Sequence, residues 1–264
     1  VRRRAWLAGV GASLALAAAP RLGHAAVQSV RCGLNNYFLR ASGTFPAVSA
    51  FTACGWFRVR THGGTTGIYL ILLSPGVAGN LSSLTLTRPS AADGPAELFA
   101  LIGGVENASD FGGVDAGLNT WFFMAMAQTG TGSNALAGYY ALASDPGLTT
   151  AHIDGPSFTP NTLGVAPTVS ATDYFDGDVA AVKLWSAVLS PTEIAAERFQ
   201  YSPQRLANLN SWYPLDTLTG QDQSGNGNHL TVFGSPTLNA DGPPISGGPA
   251  PPSASGAGRF RVRY

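Results

Sequence analysis

Hydrolysis of a glycosidic bond with retention needs two carboxyl groups about 5 Å apart, one holding a proton and one charged. The sequence offers two acidic groupings, Asp173, Asp176 and Asp178, and Glu193 with Glu197. The first flanks Gly177 where an alternating segment begins, and turn chemistry accounts for acidic residues there. The second lies on a helix opened by Ser190-Pro191-Thr192-Glu193, a capping box that satisfies orphan backbone N–H groups. Glu193 is expected to cap, and Glu197, four residues on, to be solvated. His62 and His229 adjoin Gly or Asn in expected loops, and His152 lies near Asp154. None stands by a serine or cysteine in a setting such as Gly-x-Ser-x-Gly. A phosphate-cradling Gly-x-x-x-x-Gly-Lys-Ser/Thr loop is also missing from the sequence. The expectation is a protein that is not an enzyme.

Three groupings suit binding or cross-linking instead. Asp222-Gln223-Ser224-Gly225-Asn226-Gly227 gathers oxygen donors of the kind hard cations take, with Asp222 and Asn226 as candidate calcium ligands. The same residues also suit an Asx/Gly turn that holds its own backbone. Cys32 and Cys54, 22 positions apart, are either a disulfide, with Cα atoms under about 7 Å, or two buried thiols. Two cysteines alone cannot close a zinc site. Tyr139 and Tyr140 are adjacent on an alternating segment, so one of them is expected to face outward. An exposed tyrosine there would be a candidate for stacking on a sugar ring; the alternative is a covered sheet face.

Most of the elements that position these residues read as strands. Residues 51–60 alternate, with Phe51, Phe57 and Val59 on one face and Arg58 and Arg60 on the other. Strands are also expected over 66–73, 81–87, 97–102, 121–128, 136–143 and 179–185, bounded by clusters such as Asp145-Pro146-Gly147. One helix is expected near residues 190–200. With 33 glycines, 18 prolines and only 11% charged residues, the chain is too apolar for disorder and rich in turn formers. The fold class is therefore all-β, a two-sheet antiparallel sandwich. Trp56, Trp121, Trp185 and Trp212 fall in strand-like sequence and suit core packing better than sugar stacking.

The ends of the chain read differently. Residues 1–25 have the layout of an export signal: Arg2, Arg3 and Arg4, an apolar run to Ala19, Pro20, and small residues around Ala25. Arg3-Arg4-Ala5-Trp6-Leu7 suits either a twin-arginine or an ordinary secretory signal. The expected location is secreted, periplasmic or at the cell surface, with no other segment long enough to cross a membrane. Removing the signal leaves 11 basic against 15 acidic residues, and no basic residue occurs between Arg88 and Lys183. That balance argues against a nucleic-acid partner, whose phosphates need Lys and Arg. A domain over residues 26–245 is followed by a Pro/Gly-rich linker, 246–258, and by residues 259–264, Arg-Phe-Arg-Val-Arg-Tyr. This alternating hexapeptide is expected to dock as a strand on a sheet edge or a neighbouring subunit, giving self-association; a frayed tail is the alternative.

Several segments together resemble the laminin G-like, concanavalin A-like lectin/glucanase jelly roll. They are Phe51-Thr52-Ala53-Cys54-Gly55-Trp56-Phe57, Asn119-Thr120-Trp121-Phe122-Phe123-Met124-Ala125, and Phe175-Asp176-Gly177-Asp178 through Trp185 with Leu189-Ser190-Pro191-Thr192-Glu193. A fourth, Trp212-Tyr213-Pro214-Leu215-Asp216 with Asp222 to Asn228, more often opens such domains, so its late position implies a rearranged strand order. The resemblance implies a jelly roll and a binding module for a glycan or an extracellular protein, with calcium at a sandwich edge as in some relatives. Glucanases of this fold carry Glu-x-Asp-x-x-Glu on one strand, and no such triplet occurs here, so a glycoside hydrolase is the weakest reading. A structural subunit of a cell surface, filament or virion is the alternative.

Overall fold

The computed structural model describes residues 28–39, 50–61, 67–73, 83–88, 97–102, 105–111, 117–130, 132–155, 162–165 and 175–245. The expected export signal, the linker and the 259–264 tail, as well as His62 and Asp173, lie outside the described residues. The strands are β1 (Ser29–Cys32), β2 (Tyr37–Leu39), β3 (Phe51–Val59), β4 (Gly67–Leu73), β5 (Ser83–Arg88), β6 (Glu97–Ile102), β7 (Val105–Asp110), β8 (Phe122–Gln128), β9 (Gly132–Leu142), β10 (Thr149–Gly155), β11 (Thr162–Val165) and β12 (Gly177–Trp185). Helix α1 (Pro191–Arg198) follows, then β13 (Leu209–Tyr213), β14 (Thr231–Phe233) and β15 (Thr237–Asn239).

All described pairings are antiparallel and form two sheets. The larger runs β10-β9-β8-β3-β12-β1-β15, with β13 also on β12; the smaller runs β14-β2-β11-β4-β5-β6-β7. The molecule is the expected antiparallel β-sandwich. The late segment does depart from simple order: β13 takes the second half of β12's edge, while β14 and β15 pair with β2 and β1.

Alternation builds two apolar layers. Phe51, Phe57, Phe122, Met124, Tyr140, Val179 and Leu184 fill the space between the sheets. Cys54, Trp56, Trp121, Phe123, Tyr139 and Trp185 point to the other face of the larger sheet, where Leu189, Ile194, Tyr201 and Ile245 cover them. A bulge keeps β12 in phase. Ala181, at φ +51°, adds a residue opposite β3, so that Val179 and Val182 both face the core.

Helix α1 starts as expected. Ser190 Oγ accepts from the Glu193 N–H and a Glu193 carboxylate oxygen accepts from the Ser190 N–H, while the helix ends at Arg198. Glu197 corrects the expectation of a solvated residue: it is buried and paired with Lys183, the only lysine of the chain. Among the described residues, no helix is long and apolar enough to cross a membrane.

Candidate functional site at the polar end of the larger sheet

The outer face of the larger sheet turns from aromatic to ionic where β12 begins. A Cβ on Gly177 would lie 2.1 Å from the Arg58 carbonyl oxygen, so only glycine allows β3 to come this close. The register then sets Asp178 between Arg58 on β3 and Arg31 on β1. Asp178, fully buried, accepts from Arg58 Nε at 2.8 Å, Arg60 Nε at 2.5 Å and Asn239 Nδ2 at 3.2 Å. Arg31 pairs with Asp176 at 2.6 Å, and Thr61 donates to the other Asp176 oxygen. Arg60 reaches Asn119 Oδ1 at 3.2 Å.

Beyond β15 the chain passes over this end. Ser29 Oγ donates to the Asp241 carbonyl oxygen, Asp241 Oδ2 accepts from Arg58 Nη1 at 2.5 Å, and Ile245 enters the outer apolar layer. The Arg58 guanidinium lies 4.5 Å above the Trp121 ring, a cation–π contact. Two donors of this stacked pair, Arg58 Nη2 and Trp121 Nε1, are buried with no hydrogen-bond partner among the described residues. Three arginines thus face three aspartates, with N–H donors left over beside an aromatic ring. With as many aspartates as arginines, the cluster lacks the positive excess a polyanion wants.

Of the residues singled out in the sequence, Asp176, Asp178 and Trp121 fall in this cluster. Asp178 is a buried, salt-bridged strand residue instead of a turn residue. The binding and cross-linking candidates are placed elsewhere. Cys32 and Cys54 are free, which corrects the expectation of a disulfide. They lie on strands flanking β12 on opposite sides, opposite Gly177 and Lys183, and they face different apolar layers. Six residues along a strand is about 20 Å, beyond any bridge. Burial raises both thiols, Cys54 to about 12. Tyr139 and Tyr140 do face opposite sides of β9, yet both are buried, so the outward tyrosine is covered and offers no stacking platform.

The loop of the candidate calcium ligands Asp222 and Asn226 is held by its own hydrogen bonds. Asp222 Oδ1 accepts from the Trp212 and Ser224 N–H groups, and Oδ2 from Ser224 Oγ and the Asn228 N–H, all within 2.9 Å. Asn226 Nδ2 donates to the Leu209 and Asn210 carbonyl oxygens. The carboxylate's lone pairs are spent on the loop itself, which is the turn alternative. Among the described residues, no group of three or more His, Cys, Asp or Glu is placed to hold a metal.

Comparison with family models adds the lineage. Residues 33–195, more than half the chain, match the laminin G model described as the concanavalin A-like lectin/glucanases superfamily. The chain belongs to this superfamily. Comparison with curated protein sequences returned no significant match. Among solved structures, this member of the superfamily resembles a Bacteroides ovatus protein provisionally described as carbohydrate-binding, with 14% identity and a TM-score of 0.56. That alignment covers 83% of this chain and 61% of the other, so the chain spans about three fifths of that protein's length. It also resembles the heptameric SAP-like pentraxin of Limulus polyphemus, at 9% identity and TM-score 0.50 over 81% of this chain and 94% of that one. A third is the enzymatically active domain of bacteriophage CBA120 tailspike protein 2, at 15% identity and TM-score 0.50 over 67% and 28%. At these identities the likeness is one of fold.

The family match stops inside α1, whereas Asn239 and Asp241 lie beyond it. The polar end therefore joins the family-matched β3 and β12 to β1, which precedes the match, and to a later segment. Sequence reasoning missed Arg31, Arg58, Arg60, Asn239 and Asp241 as one cluster. The available signal was Asp178 on the same face of its strand as residues expected to be covered, where a lone carboxylate needs cations.

Proposed function

We propose that the protein is an exported, non-catalytic glycan-binding module and that the polar end of the larger sheet is its ligand surface. The observation that carries this reading is the pair of buried, unpartnered donors, Arg58 Nη2 and Trp121 Nε1, beside the part-exposed Arg31 and Arg60. Buried donors are nearly always satisfied, and sugar oxygens would supply the acceptors here. The superfamily name, which covers lectins, and the Bacteroides likeness support the same ligand class. The non-catalytic part rests on the sequence, which lacks the Glu-x-Asp-x-x-Glu triplet of glucanases of this fold, and on the pairing of Asp176, Asp178 and Asp241 with arginines. Export rests on the arginine-led apolar run at residues 2–19.

Binding of the purified protein to a polysaccharide array tests this reading. Retention of at least one glycan is expected, with about tenfold weaker binding after Arg60→Ala and little change in melting. No retention on any polysaccharide overturns it.

A second reading, assembly, has one observation in its favour. The larger sheet ends at β10, which no described strand pairs on its far side and where Thr150, His152 and Asp154 are exposed. Residues 259–264 would fit such an edge as an added strand. Size-exclusion chromatography with and without that hexapeptide decides, an unchanged elution volume removing it.

A further inference from the structure

Within the polar end, Asp241 occupies the place of a ligand. In the Arg58 guanidinium, Nε donates to Asp178, Nη1 donates to Asp241, and one flat face lies on Trp121. Nη2 is unpartnered. The terminal edge of a guanidinium matches both oxygens of one carboxylate, in two parallel N–H···O bonds. Asp241 fills half of that edge, with Oδ2 alone.

The two partners are also unequally placed. The Arg58 side chain is 6% exposed, whereas that of Asp241 is 63% exposed. Arg58 is fixed from below by Asp178 and Trp121, while Asp241 caps it from the solvent side on the short segment that follows β15. The main-chain anchors of that segment, Ser29 Oγ on the Asp241 carbonyl and Ile245 in the apolar layer, do not involve the Asp241 carboxylate. The side chain is thus free to swing out without unmaking the segment.

The geometry points to Arg58 as the receptor for the carboxylate of an acidic sugar, a uronic-acid type of residue, which displaces Asp241 and takes both Nη1 and Nη2. The inference rests on the glycan-binding reading and narrows its ligand class. Exchanging one carboxylate for another keeps Arg58 neutralised, so the site needs no added positive charge. The even balance of arginine and aspartate disfavours a densely charged polyanion and suits a glycan with isolated carboxylates. Arg60 and Asn119, at the exposed rim, are placed to meet the ring hydroxyls.

Titration of the full chain with a short xylo-oligosaccharide that carries a single uronic acid, and with its carboxyl-reduced counterpart, tests this. The acidic oligosaccharide is expected to bind at least tenfold more tightly. Asp241→Ala, which removes the internal competitor from an exposed position, should strengthen acidic binding about fivefold to tenfold and so raise the ratio of acidic to neutral affinity. Arg58→Lys, which keeps the charge and loses the two-nitrogen edge, should abolish the preference; Asp241→Ala keeps the test decisive if that variant fails to fold. Equal binding of the two oligosaccharides, or an Asp241→Ala variant with unchanged acidic affinity, overturns the inference and leaves a neutral-glycan site standing. Failure of every glycan, acidic or neutral, on both titration and array instead overturns the glycan reading itself.

Discussion

Strand β12 carries a charge cluster near each end of its outer face, and the two clusters are built on opposite terms. At Lys183 everything is closed. The ammonium donates to Glu197 Oε2 at 2.8 Å and to the carbonyl oxygens of Glu197 and Gln200, and the second Glu197 oxygen accepts from the Gln204 and Arg205 N–H groups. Both side chains are 1% exposed. At Asp178 the carboxylate is as deeply buried, but Arg60 reaches towards solvent, and one nitrogen of the buried Arg58 guanidinium has no partner among the described residues. A saturated buried ion pair fixes how α1 lies on the sheet and has nothing left to offer a ligand. A cluster with buried donors left over beside the part-exposed Arg60 is not closed in that way. Two arrangements of similar residues, about five positions apart on one strand, thus separate a lock from the proposed receptor.

Substitutions can break this contrast. Lys183→Met leaves the Glu197 charge buried without its cation and should cost about 3–5 kcal/mol in urea unfolding. Adding Glu197→Leu should recover only part of that loss, because the Gln204 and Arg205 N–H groups lose their acceptor, and a single-variant loss below about 1 kcal/mol would show that the pair locks nothing. Asp178→Asn keeps the shape, Arg60 can turn to water and Arg58 keeps Asp241, so a smaller loss of about 1.5–3 kcal/mol is expected by the same measurement. Equal losses at the two ends would erase the distinction.

The thiols sharpen the picture of the covered sheet. Native Cys32 and Cys54 should not react with a disulfide reagent at neutral pH, and two thiols should appear on denaturation. Because burial raises both above their unfolded values, their stabilising share is complete below about pH 8.5 and is lost as the pH rises towards 12. A native protein that titrates one fast thiol contradicts the burial. The smallest effect is expected at Asp222, where adding calcium or EDTA should leave the melting temperature unchanged; a chelator-sensitive shift would reopen the loop as a metal site.

Much of the fold was legible because alternation survives in the strands that matter. Phe51, Phe57 and Val59 face the core and Arg58 the other side, as the pattern of residues 51–60 implies. The capping box at Ser190 was equally plain, since its chemistry is local. Strands β10, β14 and β15 were harder to see, being short, polar or half-exposed. The candidate site was illegible for a physical reason. Arg58 lies 120 positions from Asp178 and 183 from Asp241, and only strand register brings them together. Glu197 was misjudged because helix spacing suggested solvent. Lys183, alone in an apolar strand, was the hint that a buried counter-charge had to come from elsewhere.

The burial of Lys183 has a practical side as well. It supplies the only side-chain amine in the chain, and folding hides it beneath the helix and the residues that follow. Amine-coupled surfaces, dyes and cross-linkers therefore find no side chain to grip on the native protein. Acylation at Lys183 would instead need the helix to lift from the sheet, so its slow appearance by mass spectrometry would time that opening directly.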